Sequence, residues 1–268
     1  MVCHLFNKYL IIADENIWKL VGRTQIAIQC IFWLISIYIC DCTLIFECFE
    51  DSVVQFVILF VCVYHQICAL RGFYYAIYTS SVVISKSKKD MKNQDILKTT
   101  ECKKCGIIRP IRSHHCSVCE KCIDKLDHHC YFLNNCVGRK NYKFFFSYLF
   151  LSMINSKYMI ILCFYKIILY KENEKERAQN KIIYLEIDFL LNFPIKVFIL
   201  LFIAIPTFIG TVYLLIYHFF LMYKNQTTIE RKYPKLYIED STKKKKSISE
   251  KLTAILESNN WLNIYWLE

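Results

Sequence analysis

Four long apolar blocks constrain this 268-residue chain more than any other feature. Thr24–Cys40 carries no charge and, Asp41 excepted, the stretch stays apolar to Phe46. Ser52–Leu70 is the second uncharged run, with Arg71 at its end and apolar, aromatic sequence continuing to Ile84. The third block, Phe144–Tyr170, is interrupted by Lys157 and Lys166, and the fourth, Phe189–Met222, carries Lys196 near its start. A bilayer core of about 30 Å is crossed by about 20 residues of helix, and each block supplies them. The sequence therefore predicts an α-helical integral membrane protein with four transmembrane helices, at 24–46, 52–79, 144–170 and 189–222.

Charge sets the expected orientation. Residues 80–143 carry 14 Lys/Arg against 6 Asp/Glu, and the tail from Tyr223 carries 9 Lys/Arg. The connection 41–52 carries none, and 171–188 carries 4 against 5 acids. The positive-inside rule places the amino terminus (1–23), the segment 85–143 and the tail (223–268) in the cytosol. The first 20 residues hold Asp14 and Glu15 and no clean apolar core, so no cleavable signal peptide is expected. The net charge of +11 is then a topology signal, with the Lys243–Lys246 run facing lipid head groups. No nucleic-acid motif accompanies it, so nucleic acid is not an expected partner. Few polar residues lie within the blocks, which argues against a transporter. Lys157 reads as a snorkelling residue and His218 as an interface residue.

Fifteen Cys are present, and seven of them lie between Cys102 and Cys136 together with four of the seven His. The order is Cys102-x2-Cys105-x9-His115-Cys116-x2-Cys119-x2-Cys122-x4-Asp127-His128-His129-Cys130-x5-Cys136. A Cys-x2-Cys turn presents two thiolates to one ion, and tetrahedral zinc takes four Cys or His ligands. Two such turns imply two structural zinc ions, which use eight of the eleven candidates. One Cys and two His are left over, and a spare Cys beside a spare His is the arrangement of an activated thiolate. Spacing does not say which three are spare. A RING-type module would need another Cys-x2-Cys pair at the end, where Cys136 stands alone.

The stretch Asp127-His128-His129-Cys130 in this spacing resembles the DHHC family of protein S-acyltransferases. Arg109-Pro110-x-Arg112, Asn134-Asn135-Cys136-Val137-Gly138 and Asn141-x2-Phe144 are similar to the family's cysteine-rich domain, and Thr227-Thr228-Ile229-Glu230 to its Thr-Thr-x-Glu motif. The resemblance implies one zinc on Cys102, Cys105, His115 and Cys122 and another on Cys116, Cys119, His129 and Cys136. It implies Cys130 as nucleophile, His128 as general base and Asp127 as the residue that orients it; His114 receives no role. Tyr131-Phe132 stands where most members have Pro-Trp, which makes Phe132 the candidate contact for the acyl chain. An Asp-Pro-Gly motif is absent from Ser85–Thr100, and the aromatic stretch Asn259–Trp266 is similar to the family's tail only faintly.

The implied function is transfer of a long-chain acyl group, palmitoyl foremost, from acyl-coenzyme A to cysteines of membrane-associated proteins through an acyl-Cys130 intermediate. The expected co-substrate is palmitoyl-coenzyme A or another long-chain acyl-coenzyme A. The expected partners are that donor, membrane lipids and the cytosolic face of substrate proteins, and the expected location is an endomembrane (endoplasmic reticulum, Golgi or plasma membrane). Arg109, Arg112, Arg139, Lys140 and Lys143 are candidate phosphate contacts. The alternative is a catalytically silent, zinc-stapled membrane scaffold.

Overall fold

The computed structural model describes most of residues 23–38, and residues 44–83, 99–179 and 195–234. The amino-terminal 1–22, the Lys243–Lys246 run and the aromatic stretch near the end lie outside the described residues. The chain divides into two compact units, Cys30–Leu70 with Tyr148–Ile216, and Met1–Gln29 with Arg71–Ser147 and Tyr217–Glu268.

Among the described residues, three helices are long and apolar enough to cross a membrane: α2 (Ser52–Tyr78), α3 (Tyr142–Gln179) and α4 (Ile195–Lys224). The first block shows a shorter apolar helix, Ile26–Ser36, and the separate turn α1 (Ile45–Cys48), with 39–43 outside the described residues. Four spans are thus not all seen, and three helices of spanning length stand among the described residues. Phe60 and Phe202 are 73% and 82% exposed. Apolar rings facing outward on a hydrophobic helix are what a lipid solvent permits. Helix α3 outruns its apolar block because Lys171–Gln179 is rich in strong helix formers; hydropathy ends at Tyr170, but helix propensity does not. Asp51 caps α2, accepting from Val53 N at 2.7 Å and Val54 N at 3.2 Å.

In the first unit, α1 packs Leu44, Ile45 and Cys48 against Leu162 and Cys163 of α3 and Leu200 and Ala204 of α4. Lys166 reaches Glu47 at 3.1 Å beside this core.

The second unit holds three successive antiparallel hairpins: β1 (Thr99–Cys102) with β2 (Ile107–Pro110), β3 (His114–Cys116) with β4 (Lys121–Ile123), and β5 (His128–Cys130) with β6 (Asn135–Val137). Each turn ends on a residue with left-handed backbone, Gly106 (φ 64°), Glu120 (φ 51°) and Asn134 (φ 47°). Glycine takes that conformation freely and Asn tolerates it, whereas Glu120 costs on the order of 1 kcal/mol. The shared apolar core is small, with Ile123 and Leu126 beside Cys116 and Cys136.

Two amides tie the hairpins to the end of α2, whose last carbonyls have no helical partner. Asn135 Nδ2 donates to the carbonyl of Ile77 at 2.8 Å, and Asn141 Nδ2 to those of Ala76 at 3.1 Å and Cys136 at 2.9 Å. Gly138 sits so close that a Cβ there would lie 2.7 Å from the Asp124 carbonyl oxygen. After α4, Asn225 (φ 52°) turns the chain into the short helix α5 (Thr228–Lys232). Thr227 and Glu230 close α5 with a reciprocal capping box. Buried Glu230 also holds Arg112 on two oxygens, at 2.6 and 2.7 Å.

Candidate active site and metal centres

Side chains alternate across a strand. On β5 that alternation sends His129 to one face and His128 with Cys130 to the other. The cross-strand partner of His129 is Cys136. These two join Cys116 and Cys119 in one group whose ligand atoms lie within 4.8 Å of one another. On β3 the rule separates His115 from Cys116. His115 pairs with Cys122 across the hairpin and meets Cys102 and Cys105 in the second group. Adjacent residues of one strand thus face different groups, which is how the ligands interleave.

The geometry suits a tetrahedral ion. Sγ to Nδ1 distances are 3.1 Å (Cys105–His115), 3.8 Å (Cys102–His115), 3.3 Å (Cys119–His129), 3.6 Å (Cys136–His129) and 3.8 Å (Cys116–His129). Zinc–sulfur bonds of about 2.3 Å set tetrahedral ligands roughly 3.5–3.8 Å apart. The Cys119 N–H points at Cys116 Sγ (3.4 Å). In the first turn the Cys105 N–H does the same for Cys102, whose thiol is lowered to about 7 chiefly by that bond. Each group offers three thiols and one imidazole Nδ1, so both fit a soft, thiolate-preferring metal such as zinc.

On the opposite face of β5, His128 Nδ1 is 2.7 Å from Asp127 Oδ2. Asp127 is 1% exposed and accepts two bonds from the start of α5, from Thr228 N at 2.9 Å and Thr228 Oγ1 at 2.7 Å. Burial by itself would raise the Asp127 carboxyl, but the bond to His128, its charge and the Thr228 hydroxyl hold it below the usual range. Burial would likewise depress His128. The Asp127 bond and the neighbouring Cys130 thiol outweigh it, and the imidazole is raised to about 9. Cys130 is buried, and its thiol is among the neighbours that raise that ring. With Nδ1 taken by Asp127, the nitrogen left for sulfur is Nε2. Asp127 and His128 thus form a bonded pair with the Cys130 thiol beside it on the same strand face.

Other sequence candidates fall differently. Phe132 is 60% exposed. Arg112 is held by Glu230, and Arg139 Nε is 2.6 Å from Asp124 Oδ2, so both guanidinium groups already have carboxylate partners. Arg109 donates to Thr100 at 3.3 Å. Lys157 is exposed on α3. His218 is 3% exposed and stands beside His128. A donor atom of His218 lies within 4.8 Å of the Asp127 and His128 donors. Sequence reasoning also missed the task of Thr228, whose motif was visible although its target, 101 residues away, was not.

The family profile described as DHHC palmitoyltransferase matches residues 95–234, just over half of the chain. Among curated proteins, palmitoyltransferase ZDHHC15 of Rattus norvegicus is 38% identical over 129 residues, covering 48% of this chain and 34% of that protein. Palmitoyltransferase ZDHHC20-A of Danio rerio is 39% identical over 129 residues, 48% of this chain and 32% of that protein. Probable protein S-acyltransferase 15 of Arabidopsis thaliana is 35% identical over 145 residues, 52% of this chain and 49% of that protein. The match thus spans from 32% to 49% of the length of these relatives.

Proposed function

The chain belongs to the DHHC palmitoyltransferase family, and from that membership and the geometry of β5 we propose that it is a protein S-acyltransferase working through an acyl-Cys130 intermediate. The observation that carries the reading is the Thr228–Asp127–His128–Cys130 line. A thiol beside a carboxylate-anchored imidazole is the arrangement of an activated nucleophile. A silent scaffold has no use for it.

His128 takes the proton of Cys130, and the imidazolium, held to about 9 by Asp127 and Cys130, stabilises negative charge on the adjacent sulfur. The sulfur attacks the thioester carbonyl of the acyl-coenzyme A. A new carbon–sulfur bond forms at Cys130, the bond to coenzyme A breaks, and the proton on His128 passes to the departing thiolate. A substrate cysteine repeats the exchange in reverse order, giving its proton to His128. Asp127 keeps the ring's Nδ1 protonated and its Nε2 toward sulfur.

The two Cys/His groups hold structural zinc, one ion on Cys102, Cys105, His115 and Cys122 and one on Cys116, Cys119, His129 and Cys136. With so small an apolar core, metal binding contributes much of this unit's folding energy. Four spans, with the termini and the hairpin unit cytosolic, complete the reading. Its support is the basic excess of residues 80–143 and of the tail. That side meets acyl-coenzyme A, and each buried methylene of the acyl chain contributes about 0.8 kcal/mol to binding among the helices. Exposed Phe132 offers an aromatic face to that chain.

The test uses purified protein and labelled palmitoyl-coenzyme A without substrate. Cys130 should take up label that neutral hydroxylamine removes, and metal analysis should return two zincs per chain. Protein with both metals that takes no label from any donor of roughly 14–18 carbons would refute the acyl-transfer reading.

A further inference from the structure

We propose that His218 and Tyr142 are positioning residues for acyl transfer, forming a hydrogen-bonded wall that holds the His128 imidazole in the orientation that presents Nε2 to Cys130. The inference rests on the acyl-transfer reading and adds two residues from outside the three hairpins.

His218 comes from the last two turns of α4, where the surrounding sequence is apolar. Burying an imidazole there has a polar desolvation cost that a Leu of similar volume would avoid, unless the ring nitrogens are used. One of them is used, since Nδ1 lies 3.0 Å from Tyr142 Oη. Tyr142 is the first residue of α3, and Phe145 follows it by one turn on the same helix face. The rings close around His128. His218 lies 5.8 Å from it, centroid to centroid, tilted by 39°. Phe145 stands edge-on to both, 5.4 Å from His128 and 5.0 Å from His218.

The reason for a wall is mechanical. The Asp127 bond at 2.7 Å fixes one nitrogen of His128, but the ring can still swing about that contact. Packing against two further rings removes the swing. The Tyr142–His218 bond keeps one of those rings from rotating away. A displacement of about 1 Å of a catalytic group costs roughly a hundredfold in rate, so modest slackness should be visible.

Three variants test this by autoacylation from labelled palmitoyl-coenzyme A, with metal content measured on each. Tyr142→Phe removes one hydroxyl, and His218→Phe keeps a ring but removes both nitrogens. Each should slow acyl-Cys130 formation at saturating donor about tenfold, with the half-saturating donor concentration and the metal content unchanged. His218→Asn, whose amide can replace Nδ1 toward Tyr142, should recover part of the rate. The double Tyr142→Phe/His218→Phe variant should be no slower than the slower single, because both remove one interaction. The proposal fails if both single variants label at the wild-type rate, if either loses metal, if only the half-saturating concentration moves, or if the two effects multiply. If wild type itself takes no label, the acyl-transfer reading falls first and this inference with it.

Discussion

Two strands of the hairpin unit carry the same three residues, His114-His115-Cys116 on β3 and His128-His129-Cys130 on β5. Each occupies the first strand of a hairpin, and in each the central His pairs with a Cys across it, Cys122 or Cys136. Their outer residues part company. Cys116 joins a metal group, whereas Cys130 lies outside both. His114 has a buried Nε2 without a hydrogen-bond partner, whereas His128 is bonded to a buried carboxylate. The residue ahead of the triplet is Ser113 in one case and Asp127 in the other, and only Asp127 is gripped by α5. A His-His-Cys strand is thus a neutral piece of scaffolding. What precedes it and what packs on its far face decide whether its thiol faces a Cys/His group or a carboxylate-bound imidazole.

The sharpest way to break the comparison is to remove the two cysteines in turn. Cys130→Ala should abolish autoacylation and keep both metals by elemental analysis. Cys116→Ala should lose a metal and much of the folded yield, because three protein ligands then remain in that group. Equal metal loss in the two variants would mean that the strands are not distinguished as described.

The flanking histidines come next. His128→Ala should slow acyl-enzyme formation about 10²–10³-fold, the usual scale for losing a positioned acid–base group. His114→Ala should stay within about twofold, since it removes no hydrogen bond seen here. A large rate loss in His114→Ala would give the β3 strand a part in the reaction that its geometry does not suggest.

A smaller effect separates the two threonines of α5. Thr228→Val keeps the backbone N–H but removes the hydroxyl from Asp127, and should cost about tenfold in labelling rate. Thr227→Val removes the helix cap and should cost about 1 kcal/mol in stability with a weaker effect on rate. Thermal unfolding and initial labelling rates on the same preparations separate these outcomes.

The mildest expectation concerns pH. His128 is raised in the folded chain to about 9, above its ordinary 6.5, so its contribution to stability is complete below 6.5 and is lost as pH rises through about 9. The melting-temperature advantage of wild type over His128→Gln should therefore shrink between about pH 6 and pH 10. Asp127, held low, works in the other direction and loses its contribution only as pH falls below the usual carboxylate range. An advantage that grew toward pH 10 would contradict the Asp127–His128 bond.

Much of this was legible in the residues, and the reasons differ from place to place. Apolar length announced the helices of Ser52–Leu70 and Phe144–Tyr170. It was silent on Lys171–Gln179, where helix propensity without hydropathy continues α3. Ligand types and Cys-x2-Cys turns announced two metal groups, but spacing left open which His and Cys were spare. Strand pairing separates the candidates, because alternation sends neighbours such as His128 and His129 to opposite faces and brings His129 beside Cys116, Cys119 and Cys136. Left-handed turns at Asn134 and the packed Gly138 give physical reasons for a stretch that the sequence offered only as a family likeness.

What the sequence determined by itself is local chemistry: which segments prefer lipid, which turns offer thiolates to a metal, and that a thiol stands next to imidazoles. Those follow from hydropathy, side-chain type and short spacing, all properties of neighbours along the chain. What the tertiary structure alone decided is the state of that thiol's surroundings. Thr228 reaches Asp127 across 101 positions, Arg112 meets Glu230 across 118, and His218 meets Tyr142 across 76. Such pairs are made when the end of α4, α5 and the start of α3 come together with the hairpins. No local pattern encodes them, because each bond forms between groups brought together only by folding.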